Sequence, residues 1–256
     1  MKRLLVLLGV AGVSLSAVFV RWSTAPSLIL VLYRVGLAAV LLAPYVFLRR
    51  REELLVLTGR EGLLCLASGA FLGLHFAAYF ESLRFTSIAS SVVLVDTEVL
   101  FVALADTAAG PDAVRGDLIA LAGALCMAVY TMIGAVCRRK ISTTVYTFLV
   151  YASAAVTVLV IALCSGLPLT GWGGTNVLTA FGMTVFCTLL GHSVFSWGLK
   201  YLPPAFISTV KLLEPVFASV WGLALFGERP GALTILGGAI IISGVALYGR
   251  VAAEET

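Results

Sequence analysis

The feature that most constrains this sequence is a series of apolar runs, each long enough to cross a bilayer, with ionisable residues set inside several of them. Lys211 and Glu214 share one run, and Asp96 and Glu98 share another. Arg34, His75, Glu81 and His192 lie in others. A charge in hydrocarbon is costly, so such residues face a bundle interior or a water-filled cavity, and they mark solute or ion paths. The pattern points to a polar path through a membrane.

Composition excludes a water-soluble fold. Of 256 residues, 61% are hydrophobic and 12% charged, and the mean hydropathy is +1.07. A soluble domain carries about 25% charged residues. The net charge of +4 does not indicate nucleic-acid binding, because the basic residues are scattered through short loops with no basic stripe. The five cysteines, Cys65, Cys126, Cys137, Cys164 and Cys187, form no Cys-x-x-Cys pair. They read as small core residues, not as a disulfide framework or metal site. Met1-Lys2-Arg3 before an apolar stretch resembles a signal peptide, but Gly9, Gly12, Ser14 and Ser16 interrupt the stretch and another span follows. A retained first helix is expected.

Nine helices are predicted, over 4–20, 28–48, 62–83, 87–104, 118–137, 144–164, 177–199, 204–226 and 232–249. Membrane β-strands would alternate in polarity over about ten residues. These runs do not alternate, so the fold class is an all-α polytopic membrane protein. An internal repeat supports two unequal units, 1–115 and 116–256. Glu81-Ser82-Leu83-Arg84-Phe85 aligns with Trp197-Gly198-Leu199-Lys200-Tyr201, and the same register brings Glu98 onto Glu214 and Phe101 onto Phe217. Many secondary transporters are built from such repeats, with their site at the interface.

Tyr33-Arg34, Leu74-His75-Phe76 and the run Thr86-Ser87-Ile88-Ala89-Ser90-Ser91 add to this pattern. So do Leu213-Glu214-Pro215-Val216-Phe217, Gly227-Glu228-Arg229-Pro230, Leu236-Gly237-Gly238 and Gly244-Val245. Over nearly its whole length the chain resembles the EamA-like branch of the drug/metabolite transporter superfamily. That resemblance implies two five-helix repeats and transport of small organic metabolites. The sequence departs from the pattern where the fifth helix would lie and at Val99, where proline is expected. Both point to a deletion in the first repeat.

The deletion creates a topological conflict. With Lys2-Arg3 in the cytoplasm, Arg49-Arg50-Arg51 is also cytoplasmic, as basic loops tend to be. Four crossings followed by the helix 118–137 would then place Arg138-Arg139-Lys140 outside. The conflict disappears if 87–104, which carries two acids, is not an ordinary single span.

The candidate solute and coupling-ion path comprises Glu214, Lys211, Arg34, Glu98, His75, His192, Tyr33 and Trp197. Lys211 and Glu214 are three residues apart and share a helix face. They read equally well as a self-neutralising pair or as a coupling site. Pro215 removes a backbone donor beside them and predicts a helix bend. Arg34 cannot be deprotonated and needs an anion, supplied by Glu98, Asp96, Glu214 or a solute. Structural pairing is the plainer reading. Asp96 and Glu98 point about 200° apart on a helix. His75 and His192 are candidates because histidine ordinarily titrates in the range suited to proton coupling, although structural hydrogen bonding is the commoner role for such residues. Tyr33 and Trp197 read first as packing. Gly12-x-x-x-Ser16 and Ala239-x-x-x-Ser243, with Gly237 and Gly244 a heptad apart, predict close helix contacts.

Enzyme signatures are absent. Gly191-His192-Ser193 is a poor nucleophile elbow because residue 195 is Phe. No cofactor or metal is expected. The partners expected are a small solute, protons and the lipid bilayer, with no nucleic acid and with a homo-oligomer left open. The location expected is a prokaryotic cytoplasmic membrane, and efflux is the expected direction. A degenerate, non-transporting membrane paralogue is the alternative reading.

Overall fold

The computed structural model describes residues 2–82, 111–227 and 231–254, and these residues are all-α. The predicted helix 87–104, with Asp96, Glu98 and Val99, and the turn residues 228–230 lie outside them. Helix α1 (Lys2–Ser14) continues through a break at Leu15 into α2 (Ser16–Trp22), and α3 spans Ser27–Arg49. Residues predicted as a basic loop instead begin a short helix, α4 (Arg51–Val56), before α5 (Gly59–Ser82). Then come α6 (Pro111–Cys137), α7 (Thr143–Cys164) and α8 (Gly173–Gly182). A π-helical stretch, Met183–His192, leads into α9 (Ser193–Gly198). Helices α10 (Pro204–Lys211), α11 (Glu214–Phe226) and α12 (Ala232–Glu254) complete the chain. Six rods in this set are long and apolar enough to span a bilayer. At 1.5 Å per residue, the 23 residues of α3 reach about 35 Å, more than the roughly 30 Å hydrocarbon layer.

Local chemistry sets the ends of the rods. Thr58 and Glu61 form a capping box: Glu61 Oε2 accepts from the Thr58 amide at 3.1 Å, and Thr58 Oγ1 accepts from the Glu61 amide at 3.3 Å. Helix α7 stops at a Schellman turn, with Gly166 at φ +66° donating to Leu163 and Leu167 donating to Ala162.

The core is a four-helix block. Helix α5 packs along α6 and α7, and α3 packs on α7. Gly69 and Gly73, one turn apart on α5, set its distance from α7. A Cβ on Gly69 would lie 2.4 Å from the Val150 carbonyl oxygen and 2.5 Å from Ser153 Cβ, and one on Gly73 would lie 3.0 Å from the Ala154 oxygen. Such contact lets backbones touch where no hydrophobic force draws helices together. Ser153 Oγ adds a bond to the Leu66 carbonyl at 2.6 Å. The Gly12 region behaves as predicted: a Cβ there would lie 2.7 Å from the Phe186 oxygen, so α1 lies directly on the π-helical stretch. Gly237 and Gly244 meet nothing within 4 Å among the described residues.

The contacts also orient the two halves. Down the α5–α6 pair, His75 meets Gly123, Ser68 meets Tyr130, and Glu61 meets Lys140 at 3.3 Å, so these helices are antiparallel. Glu53 accepts from the Ser142 amide at 2.5 Å. The loops around 49–61 and 138–142 therefore lie on one face. Lys2 sits over the Tyr201 ring at 4.3 Å, and Arg138 Nε donates to the Ser196 carbonyl at 2.9 Å, which places both chain segments on that face too. Ser82 and Pro111 consequently share the opposite face. Lys2, Arg3, Arg49–Arg51, Arg60, Arg138–Lys140 and Lys200 gather on a single side, as the positive-inside rule asks. Arg21, over Phe226 at 4.9 Å, stands at the other.

Candidate functional site

Five of the predicted path residues meet. Arg34 from α3, His75 from α5, His192 at the end of the π-helical stretch, and Lys211 and Glu214 all line one internal cavity. Val13, Ser16, Phe76, Tyr79 and Met127 also line it. The cavity encloses about 20 Å³. Room for one water centre takes about 10–15 Å³, so the space is sized for a water molecule or one small polar group. Two basic side chains and one carboxyl face a space inside the bundle where a span would normally be apolar.

Each element holds its residue for a physical reason. Pro215 does more than bend its helix. It lacks the N–H that the Lys211 carbonyl would accept, and the rod divides into α10 and α11. The Leu212 and Leu213 amides bond instead three residues back, to Thr209 at 3.2 Å and Val210 at 3.1 Å. Lys211 thus sits in the last turn of one helix and Glu214 in the first turn of the next. Each charge suits the dipole of its own helix end. Trp221 Nε1 donates to Ser14 Oγ at 2.9 Å, fixing α11 to α1.

Arg34 is 1% exposed. Its Nε donates to Thr188 Oγ1 at 2.7 Å, Nη1 reaches Ser16 Oγ at 3.4 Å, and the guanidinium carbon lies 4.4 Å from the centre of the Phe76 ring. Among the described residues Nη2 has no partner, and neither has Nδ1 of His192, which is 2% exposed. An unsatisfied buried donor costs about 1–3 kcal/mol, more if charged. Among the described residues Arg34 is thus held by hydroxyls and an aromatic face, with Glu214 on the same cavity wall and Asp96 and Glu98 outside the described residues. His75 Nδ1–H donates to the Gly123 carbonyl oxygen at 3.0 Å, which leaves Nε2 of the neutral ring as an acceptor. Lys211 is 8% exposed, with its ammonium 5.6 Å from the Phe195 ring centre.

The remaining candidates stand elsewhere. Tyr33 donates to the Leu169 carbonyl at 2.6 Å and fastens α3 to the loop after α7. Trp197 packs on Tyr201, ring centres 5.0 Å apart, at the basic face. Phe80 is fully buried core. Glu98 lies outside the described residues. Ser193 Oγ bonds Tyr151 at 2.9 Å inside a helix, and that geometry is not a nucleophile elbow. All five cysteines are free, and no metal-ligand cluster occurs among the described residues. Ser16 and Tyr79 were not expected on the wall. Tyr79 lies one turn beyond His75, a spacing that could have revealed it, and its ring stacks on the His75 ring.

Residues 114–250 match the model of the EamA-like transporter family. The chain belongs to that family. A relative described as an uncharacterized transporter, from Archaeoglobus fulgidus, is 24% identical over 251 aligned residues, covering 85% of this chain and 86% of the relative. A second protein of the same description and organism is 34% identical over 73 residues, 28% of this chain and 27% of its own length. A solved crystal structure shares the EamA-like chain's fold with a TM-score of 0.75 at 17% identity, covering 99% of this chain and 98% of that one. The EamA-like chain is a multi-pass membrane protein of a transporter family.

Proposed function

We propose that this EamA-like chain is a secondary transporter that exports small metabolites or amino-acid-like solutes across a prokaryotic cytoplasmic membrane. Protons are the proposed coupling ion. One observation carries the reading: Arg34, His75, His192, Lys211 and Glu214, drawn from four separate parts of the chain, converge on a single buried cavity beside a broken helix. Broken helices at the meeting of repeats are where transporters bind solutes, and the repeat units 1–115 and 116–256 are proposed to meet there. In this reading Glu214 accepts the proton, Lys211 and Arg34 are counter-charges, and the break at Pro215 is where the wall moves. The cavity of about 20 Å³ is small, and the transport cycle must enlarge it to pass a metabolite. No catalytic step is assigned.

Flux in proteoliposomes tests the reading. Glu214→Gln and Lys211→Met should abolish or strongly reduce transport, whereas transport unchanged in both variants would remove their roles. The small cavity also favours a second reading, a non-transporting paralogue, which predicts no flux for any solute in either direction.

A further inference from the structure

The geometry points to an anion subsite inside this cavity, formed by Arg34 Nη2 and His192 Nδ1, that takes the carboxylate of a small, mostly apolar monocarboxylate solute. The inference rests on the transporter reading and names the chemistry of the solute. Its basis is a pair of buried nitrogens, a guanidinium donor and an imidazole nitrogen that donates in its Nδ1–H tautomer. Both side chains are almost wholly buried, both line the same space, and among the described residues both atoms lack a partner. Native proteins rarely keep buried donors unpaired without a reason.

The arrangement is built, not incidental. Thr188 Oγ1 holds Nε of Arg34 at 2.7 Å, so the guanidinium cannot rotate freely and one edge of its fork stays turned away from that anchor. Thr188 and His192 lie four residues apart on the same π-helical stretch. The residue that aims the arginine and the residue that supplies the second donor therefore come from one wall, about one turn apart. The Thr184 hydroxyl also donates to the Arg34 carbonyl at 2.9 Å, locking α3 against that wall. Arginine favours planar, two-oxygen acceptors. The rest of the lining includes Val13, Phe76, Tyr79 and Met127, which suits a short hydrocarbon body better than a sugar or a polyanion. Glu214 shares the space and is the competing carboxylate.

The test uses the purified full chain and a matched pair of probes, 4-methylpentanoate and 4-methylpentanamide, which differ in charge but hardly in shape. Thermal unfolding of the wild type should shift upward with the carboxylate and not with the amide or with inorganic phosphate. Arg34→Gln and His192→Phe should each raise the Kd for the carboxylate at least tenfold, and Glu214→Gln should lower it. Equal stabilisation by the amide or by phosphate, no stabilisation by the carboxylate, or unchanged affinity in Arg34→Gln overturns the subsite. The wild-type comparison holds even if a variant fails to fold. Flux measured in parallel separates the two readings. Equal flux of amide and carboxylate overturns the subsite and leaves transport standing, whereas selective carboxylate binding without flux supports the subsite and removes transport.

Discussion

Gly69→Ala, compared with Gly36→Ala, tests the packing on which the site is mounted. Both residues lie within spanning helices, and alanine should improve helix propensity at each by about 1 kcal/mol. Their surroundings differ. The new methyl at position 69 would sit 2.4 Å from a backbone oxygen of α7 and 2.5 Å from Ser153 Cβ, while at position 36 nothing among the described residues lies within 4 Å. Backbone cannot step aside as a side-chain tip can, so α5 and α7 must separate. Overpacking of this kind costs about 1–3 kcal/mol, and separation also weakens the 2.6 Å bond from Ser153 to Leu66. The propensity gain is common to both variants and cancels. Gly69→Ala should therefore be the less stable by about 1–3 kcal/mol, between roughly fivefold and a hundredfold in the unfolding equilibrium. Reversible unfolding in mixed micelles, followed by helical circular dichroism, measures the difference. If Gly69→Ala matches or exceeds Gly36→Ala in stability, the glycine seam does not set the helix spacing.

Reporter fusions in the loops at 49–53 and 138–143 should report the same, cytoplasmic compartment; opposite compartments would contradict the shared basic face. Tyr33→Phe and Trp197→Ala should leave solute selectivity unchanged in proteoliposome flux, because neither side chain reaches the cavity. Arg138→Gln should cost about 1–3 kcal/mol in thermal unfolding, since this buried guanidinium donates to the carbonyls of Ser196 and Ile141 and would leave them unpaired.

Much of the wall was readable because it breaks a rule. A lysine and an acid three apart in an apolar run, an arginine alone in another, and a histidine in each of two more are anomalies in hydrocarbon, and energy requires that they find one another or water. Tyr33 shows the limit of that logic: it is adjacent to Arg34 but points about 100° away on the helix and finishes in a loop contact. Ser16 and Tyr79 are ordinary residues in ordinary positions, and only the approach of other helices brings them to the cavity. The π-helical stretch has no code in its side chains, yet it sets the spacing between Thr188 and His192. Pro215 predicted a bend, but the structure has two helices, because the residues before it satisfy their amides three positions back. Gly69 and Gly73 follow the same four-residue spacing as Gly12 and Ser16. Which of several such pairs becomes a seam depends on the partner helix, and one sequence does not identify it.

The division at Leu212–Leu213 means that the ammonium of Lys211 and the carboxyl of Glu214 ride on separate helices, α10 and α11. A change of angle there alters the gap between the two charges without breaking a hydrogen bond in either ladder. In an unbroken rod, their spacing would be fixed by the helix itself.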